Sequence, residues 1–89
     1  MDMLELKELL NIIKNKDYEE GKKIIKDNYK NVTFYSYGPD KENDNTIDYD
    51  FTFNDNEELR ITYTTGCILD NDEYIPDTKN GYWNIFGER

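Results

Sequence analysis

The sequence predicts an α+β fold, with two N-terminal helices packed on one face of a three- to four-stranded antiparallel sheet. Three observations predict it. Apolar residues recur at helical spacing up to about residue 30, and from residue 32 onward they alternate with polar ones. Between them, Thr46–Thr65, TIDYDFTFNDNEELRITYTT, reads as a hairpin with one apolar and one polar face. Eighty-nine residues support one core, so residues 1–89 are expected to form a single domain. Eight Tyr, four Phe and one Trp give that core large side chains, which argues against disorder although 35% of the residues are charged.

The first helix is expected over residues 2–15, with Met3, Leu6, Leu9, Leu10 and Ile13 on one stripe. Leu4 and Ile12 fall off that stripe, which suggests contacts on more than one side of the helix. Asp17 has the side chain of an N-cap, and Glu19 and Glu20 suit the positive end of a helix over residues 17–30. On this helix Tyr18, Gly21, Ile25 and Tyr29 share a side, while Lys22, Lys23 and Lys26 face solvent. Gly21 costs about 1 kcal/mol relative to Ala in a helix, which a close approach to a neighbour would justify.

Strands are expected over residues 32–37, 46–53, 59–69 and 82–86. In VTFYSY, either Val32 and Phe34 or Thr33, Tyr35 and Tyr37 can face the core. In the hairpin, Ile47, Tyr49, Phe51 and Phe53 alternate with Asp48, Asp50 and Thr52. A loop from Asn54 to Glu58 would place Phe53 opposite Leu59, Phe51 opposite Ile61 and Asp50 opposite Thr62, with Arg60 one diagonal step from Asp50. Gly66 suggests a bulge or bend. DNDEYIPDTKNG reads as a long acidic loop.

Catalytic signatures are missing. There is no His, and the one cysteine, Cys67, lies in an apolar run without an imidazole to activate it. No phosphate-binding loop, dinucleotide fingerprint or zinc spacing occurs, so neither an enzyme nor a cofactor is expected. Asp48 and Asp50 lie about 6.6 Å apart along one strand face, a separation that any such pair on a strand would have. Asp40, Glu42, Asp44, Thr46 and Asp48 alternate like calcium ligands, but position six is Asn45 and position twelve Phe51, where a calcium loop needs Gly and Glu. A solvated acidic loop is the better description.

The net charge of −9 is one-sided: residues 1–31 carry seven acids and seven lysines, while residues 32–89 carry thirteen acids against four basic residues. Such a field repels nucleic acid and anionic membrane and attracts basic protein surfaces. A single cysteine, an acidic start and the lack of a long apolar run point to a soluble chain in a reducing cytoplasm. The docking surface expected from these features comprises Asp48 and Asp50, the loop acids Asp40, Glu42, Asp44, Asp55, Glu57 and Glu58, and the strand tyrosines Tyr35 and Tyr37.

The string Ile13–Tyr18, IKNKDY, resembles a segment near the N-terminus of a family of small acidic, phage-encoded anti-CRISPR proteins. These proteins inhibit the RNA-guided type II nuclease, using acids that mimic DNA. The resemblance implies an inhibitor working in the cytoplasm of a bacterial host, with a CRISPR effector as partner and Asp17 and Tyr18 among its contacts. Beyond Tyr18 this chain departs from the family, continuing as a helix where the family turns into a strand. An immunity protein or antitoxin neutralising a basic toxin would carry the same acidic surface, so that alternative stays open. From the mismatched loop spacing, Ca²⁺ titration is expected to change neither tryptophan fluorescence nor melting temperature; a rise in either would show a calcium-responsive module.

Overall fold

The computed structural model describes residues 2–38, 45–53 and 56–86, the side chains of 56–58 and 86 excepted. Its elements run α1 (Met3–Ile13), α2 (Tyr18–Asn28), β1 (Val32–Tyr37), β2 (Thr46–Phe53), β3 (Asn56–Asp70), β4 (Glu73–Pro76) and β5 (Tyr82–Phe86). The strands form one antiparallel sheet in the order β1-β2-β3-β4, and β5 also pairs with β3. Both helices are capped by an aspartate. Asp2 Oδ1 accepts from the Glu5 N–H at 2.8 Å, and Asp17 Oδ1 accepts from the Glu20 N–H at 2.9 Å. Each cap satisfies a backbone donor that has no partner within the first helical turn.

Alternation decides what the helices cover. In β2 the odd-numbered residues face them, in register with Ile61 and Tyr63 of β3, Trp83 and Ile85 of β5, and Phe34 and Val32 of β1. The helices bring Leu6, Leu9, Ile13, Tyr18 and Ile25 to this face, all buried. Leu4 and Ile12 remain 68% and 58% exposed, so α1 packs on one side alone, contrary to the expectation. Lys22 does not simply face solvent either: its Nζ lies 5.4 Å from the Tyr18 ring and 5.6 Å from the Phe34 ring. Its stem is half-buried while its charge meets the ring faces.

Three local expectations are corrected. The Phe51–Ile61 and Asp50–Thr62 pairs are present, but the register shifts between Thr52 and Phe53, and Phe53 pairs with Asn56 rather than Leu59. Gly66 does not interrupt β3. The strand runs through it, and there the ladder passes from β2, at Thr46, to β4, which starts pairing at Cys67. The supposed acidic loop contains β4, joined to β3 by a tight turn at Asn71 and Asp72, whose φ angles are 50° and 65°. Asn and Asp tolerate such left-handed backbone, the conformation a two-residue hairpin demands. Cross-strand pairs Ile68–Ile75 and Leu69–Tyr74 then complete the arm.

The segment from Asp77 to Gly81 pins the sheet to the helices. Hydrogen bonds from the Asn80 side chain and the Lys79 N–H hold the Asp77 carboxyl below its ordinary range and shape the turn. Thr65 Oγ1 donates to the Asp77 carbonyl. The Thr78 carbonyl accepts from Tyr63 OH at 3.0 Å and from the Tyr18 N–H at 2.9 Å. Tyr63 OH in turn accepts from the Gly81 N–H at 2.8 Å, so the phenol at the centre of the sheet is satisfied on both sides.

Gly21 fills the role expected of it. A Cβ there would overlap Trp83, coming within 2.7 Å of Cε2. Trp83 cannot retreat cheaply, because it is buried and its Nε1 donates to the Lys16 carbonyl at 3.1 Å. Gly21→Ala gains about 1 kcal/mol of helix propensity and loses roughly 1–3 kcal/mol to overpacking. A net loss of stability in urea titration is expected, with a shift in tryptophan emission. Unchanged emission together with raised stability would show that the contact is loose.

Candidate functional site

The sheet face turned away from the helices carries the polar half of each strand. Register arranges it in rows across β1, β2, β3 and β5. One row is Tyr37, Asp48, Thr64 and Tyr82; the next is Tyr35, Asp50, Thr62 and Asn84. Thr52 and Arg60 belong to a third. Tyr35 and Tyr37 are 52% and 51% exposed, with ring centroids 6.5 Å apart and planes 29° from parallel. They stand outward because Val32 and Phe34 take the helix side, the first of the two orientations the sequence allowed.

Each aspartate on β2 is answered by the threonine opposite. Thr64 Oγ1 donates to Asp48 Oδ1 at 2.6 Å, and Thr62 Oγ1 donates to Asp50 Oδ1 at 2.7 Å. The second oxygen of Asp50 faces Arg60 Nη1 at 3.6 Å. Asp50 is buried at 6% exposure and Thr62 at 0%, so this carboxylate needs both partners. Asp48 is half-exposed and shares with Tyr37, Asp50 and Arg60 a shallow depression of about 350 Å³.

The expected docking residues therefore divide. Tyr35, Tyr37 and Asp48 come together on an accessible face. Asp50 stands beside them, but it is an anchored, charge-compensated group rather than a free phosphate surrogate. Asp17 is engaged as the α2 cap. Tyr18 is 4% exposed and stacks among Tyr49, Tyr63 and Trp83, with centroids 4.3, 5.5 and 6.3 Å away, which removes it from any docking surface. Its hydrophobic ring fills the core at the point where α2 begins. Asp40, Glu42, Asp44 and Asp55 lie outside the described residues, as do the side chains of Glu57 and Glu58.

Tyr82 and Asn84, on the same face, were not expected there. Continuing the alternation outward from buried Trp83 would have found them. Among the described residues, no three His, Cys, Asp or Glu side chains converge to hold a metal ion, and no helix is long and apolar enough to cross a membrane. Burial pushes the Cys67 thiol up, away from the reactive thiolate.

Comparison of the chain with protein-family models, with curated proteins and with solved structures found no match.

Thr62→Val keeps the shape but takes a donor from a buried carboxylate, and should cost about 1–3 kcal/mol in denaturant titration. Thr64→Val, beside the half-exposed Asp48, should cost less; equal costs would mean that water serves both aspartates alike. Burial, helped by the charge of neighbouring groups, raises the phenols of Tyr18, Tyr49 and Tyr63 above their ordinary value. The folded state then holds protons that the unfolded chain releases near pH 10, so stability is full below about pH 10 and falls as pH rises above it. Melting temperature against pH checks this, and Tyr18→Phe should flatten the decline.

Proposed function

We propose that this chain is a small acidic inhibitor that binds a basic, nucleic-acid-binding surface of a host defence protein. On this reading the target is an RNA-guided nuclease of the type II class, as the resemblance at Ile13–Tyr18 implies. One observation carries the proposal: the whole net charge of −9 belongs to residues 32–89, while the helical layer is formed from the charge-balanced first part of the chain. The uncompensated charge therefore belongs to the part of the chain that builds the sheet and its connections. The sheet side presents Asp48 beside two half-exposed tyrosines.

Tyrosine rings supply contact area at small entropic cost and stack with guanidinium groups, and a nearby carboxylate adds a charged partner. Asp48 is the phosphate surrogate on this face. Asp50, held by Thr62 and Arg60, serves to support the strand beneath it. Such docking gains its speed from long-range attraction, so it weakens as salt shortens the Debye length.

The test is DNA cleavage by a purified type II nuclease loaded with guide RNA, titrated with this chain. Wild type should inhibit cleavage, less so at high salt, and Asp48→Lys with Tyr37→Ala should weaken inhibition by more than about tenfold, the ratio that 1.4 kcal/mol of lost contact gives. Full cleavage at saturating wild-type protein would rule out this target. Undiminished inhibition by the folded double variant would rule out this face.

A further inference from the structure

Beyond Gly66, among the described residues, the sheet narrows to two strands. Residues 67–70 of β3 pair with β4, and β4 pairs there with no other strand. A two-stranded ribbon is marginally stable by itself, and this one leaves apolar side chains open. Ile68 is 67% exposed, and its cross-strand partner Ile75 is 47% exposed. Alternation along β3 puts this pair on the side of Thr64 and its partner Tyr82, away from the helices. Tyr82 is exposed as well. Single exposed apolar residues are ordinary, but a set gathered on one face marks a surface that another element covers.

Gly66 sits between these groups on the same side of β3. Glycine weakens a strand, and the fold does not require one at this position. Its φ is not positive, and a Cβ there would meet no atom beyond its chain neighbours within 4 Å. At Gly21 and Gly81, by contrast, a Cβ would overlap packed neighbours. A strand glycine without an internal reason marks the close approach of something outside. Gly66 thus forms an open floor, with Tyr82 at one end and the isoleucine pair at the other. Four residues of strand rise, about 13 Å, separate the two ends.

We infer that this surface receives an amphipathic helix of a partner protein, apolar along one stripe and basic beside it. Anchors at i, i+4 and i+7 of a helix span about 10–11 Å, and the side chains at each end cover the difference. The outer anchors meet Tyr82 and the isoleucines, and the middle one descends onto Gly66, the helix-in-groove mode of recognition. A second helical layer on the open side of a sheet is an ordinary architecture. Charge selects the occupant. Residues 67–78 contain Asp70, Asp72, Glu73 and Asp77 and no basic residue, and the first three are exposed around the turn of the arm. A second copy would bring the same acids and its own −9, so a basic partner fits where another copy is repelled. The arm lies two strands from Tyr35 and Tyr37, so its occupancy is separable from inhibition of a nuclease.

The probe is a fluorescein-labelled synthetic helix of about 18 residues, long enough to form in water. It carries Leu at i, i+4, i+7 and i+11, Lys on both flanks and Ala on its back. One control scatters the same residues around the helix, and the other replaces Lys with Glu. Fluorescence anisotropy should show the striped basic peptide binding at least about tenfold more tightly than either control. Hydrogen exchange of the amides of residues 67–76 should slow in its presence. Gly66→Val suits a strand and enters open space, so it should raise the urea midpoint while weakening the peptide at least about tenfold. Ile68→Ser, at an exposed position, should weaken it with the circular dichroism spectrum unchanged. Equal binding of striped and scattered peptides, or binding that survives both substitutions, overturns the inference. A urea midpoint lowered by Gly66→Val also overturns it, by giving this glycine an internal role. So does a dimer in sedimentation that Ile68→Ser dissolves, which assigns the surface to a second copy.

Discussion

The position of the helices on the sheet depends on one backbone oxygen, the carbonyl of Thr78. It accepts from the Tyr63 hydroxyl at the centre of β3 and from the Tyr18 N–H at the start of α2. A sheet and a helix that meet only through apolar side chains can slide, because hydrophobic attraction has no direction. Here a directed pair of bonds fixes where α2 begins, and Trp83 fixes how close it comes by filling the space beside Gly21. Tyr18 occupies the angle between them, tilted against Tyr49 and Tyr63 and nearly parallel to Trp83. Aromatic packing supplies the area and the hydrogen bonds supply the address.

The uncovered face follows from that arrangement. Once Tyr49, Phe51 and Tyr63 are committed to the helices, period-two alternation sends Asp48, Asp50, Thr62 and Thr64 the other way. The face is less acidic than its aspartates suggest. Arg60 compensates Asp50, and both aspartates accept hydroxyl bonds from the next strand. These bonds make the carboxylates part of the sheet's cohesion and hold Asp48 in a defined position.

The alternation of Ile47 to Phe53 and of Leu59 to Tyr63 carried the hairpin, its buried face and the Phe51–Ile61 register. The cap at Asp17 and the close approach at Gly21 were equally legible, since each has a local physical cause. What was missed depends on remote partners. Tyr18 carries a polar tip and could have faced outward; its burial is decided by Tyr49 and Trp83, far along the chain. The arm formed by β4 was hidden by its acids, although the turn at Asn71 and Asp72 was a readable signal. The shift between Thr52 and Phe53 is a backbone irregularity, which side-chain pattern does not report. The electrostatic state of Asp50 needed two strands in register before it could be known.

The bond from Trp83 Nε1 to the Lys16 carbonyl joins residues 67 positions apart. It has a consequence for the order of assembly on the ribosome. The β-meander can form from neighbouring segments as they emerge, but the surface on which α1 and α2 dock lacks Trp83 and Ile85 until β5 has been made. Until then part of their apolar stripes stays open to solvent and to other chains. Synthesis at about 5–20 residues per second leaves this interval at a few seconds. During it the charged faces of both helices are the nascent chain's protection against premature association.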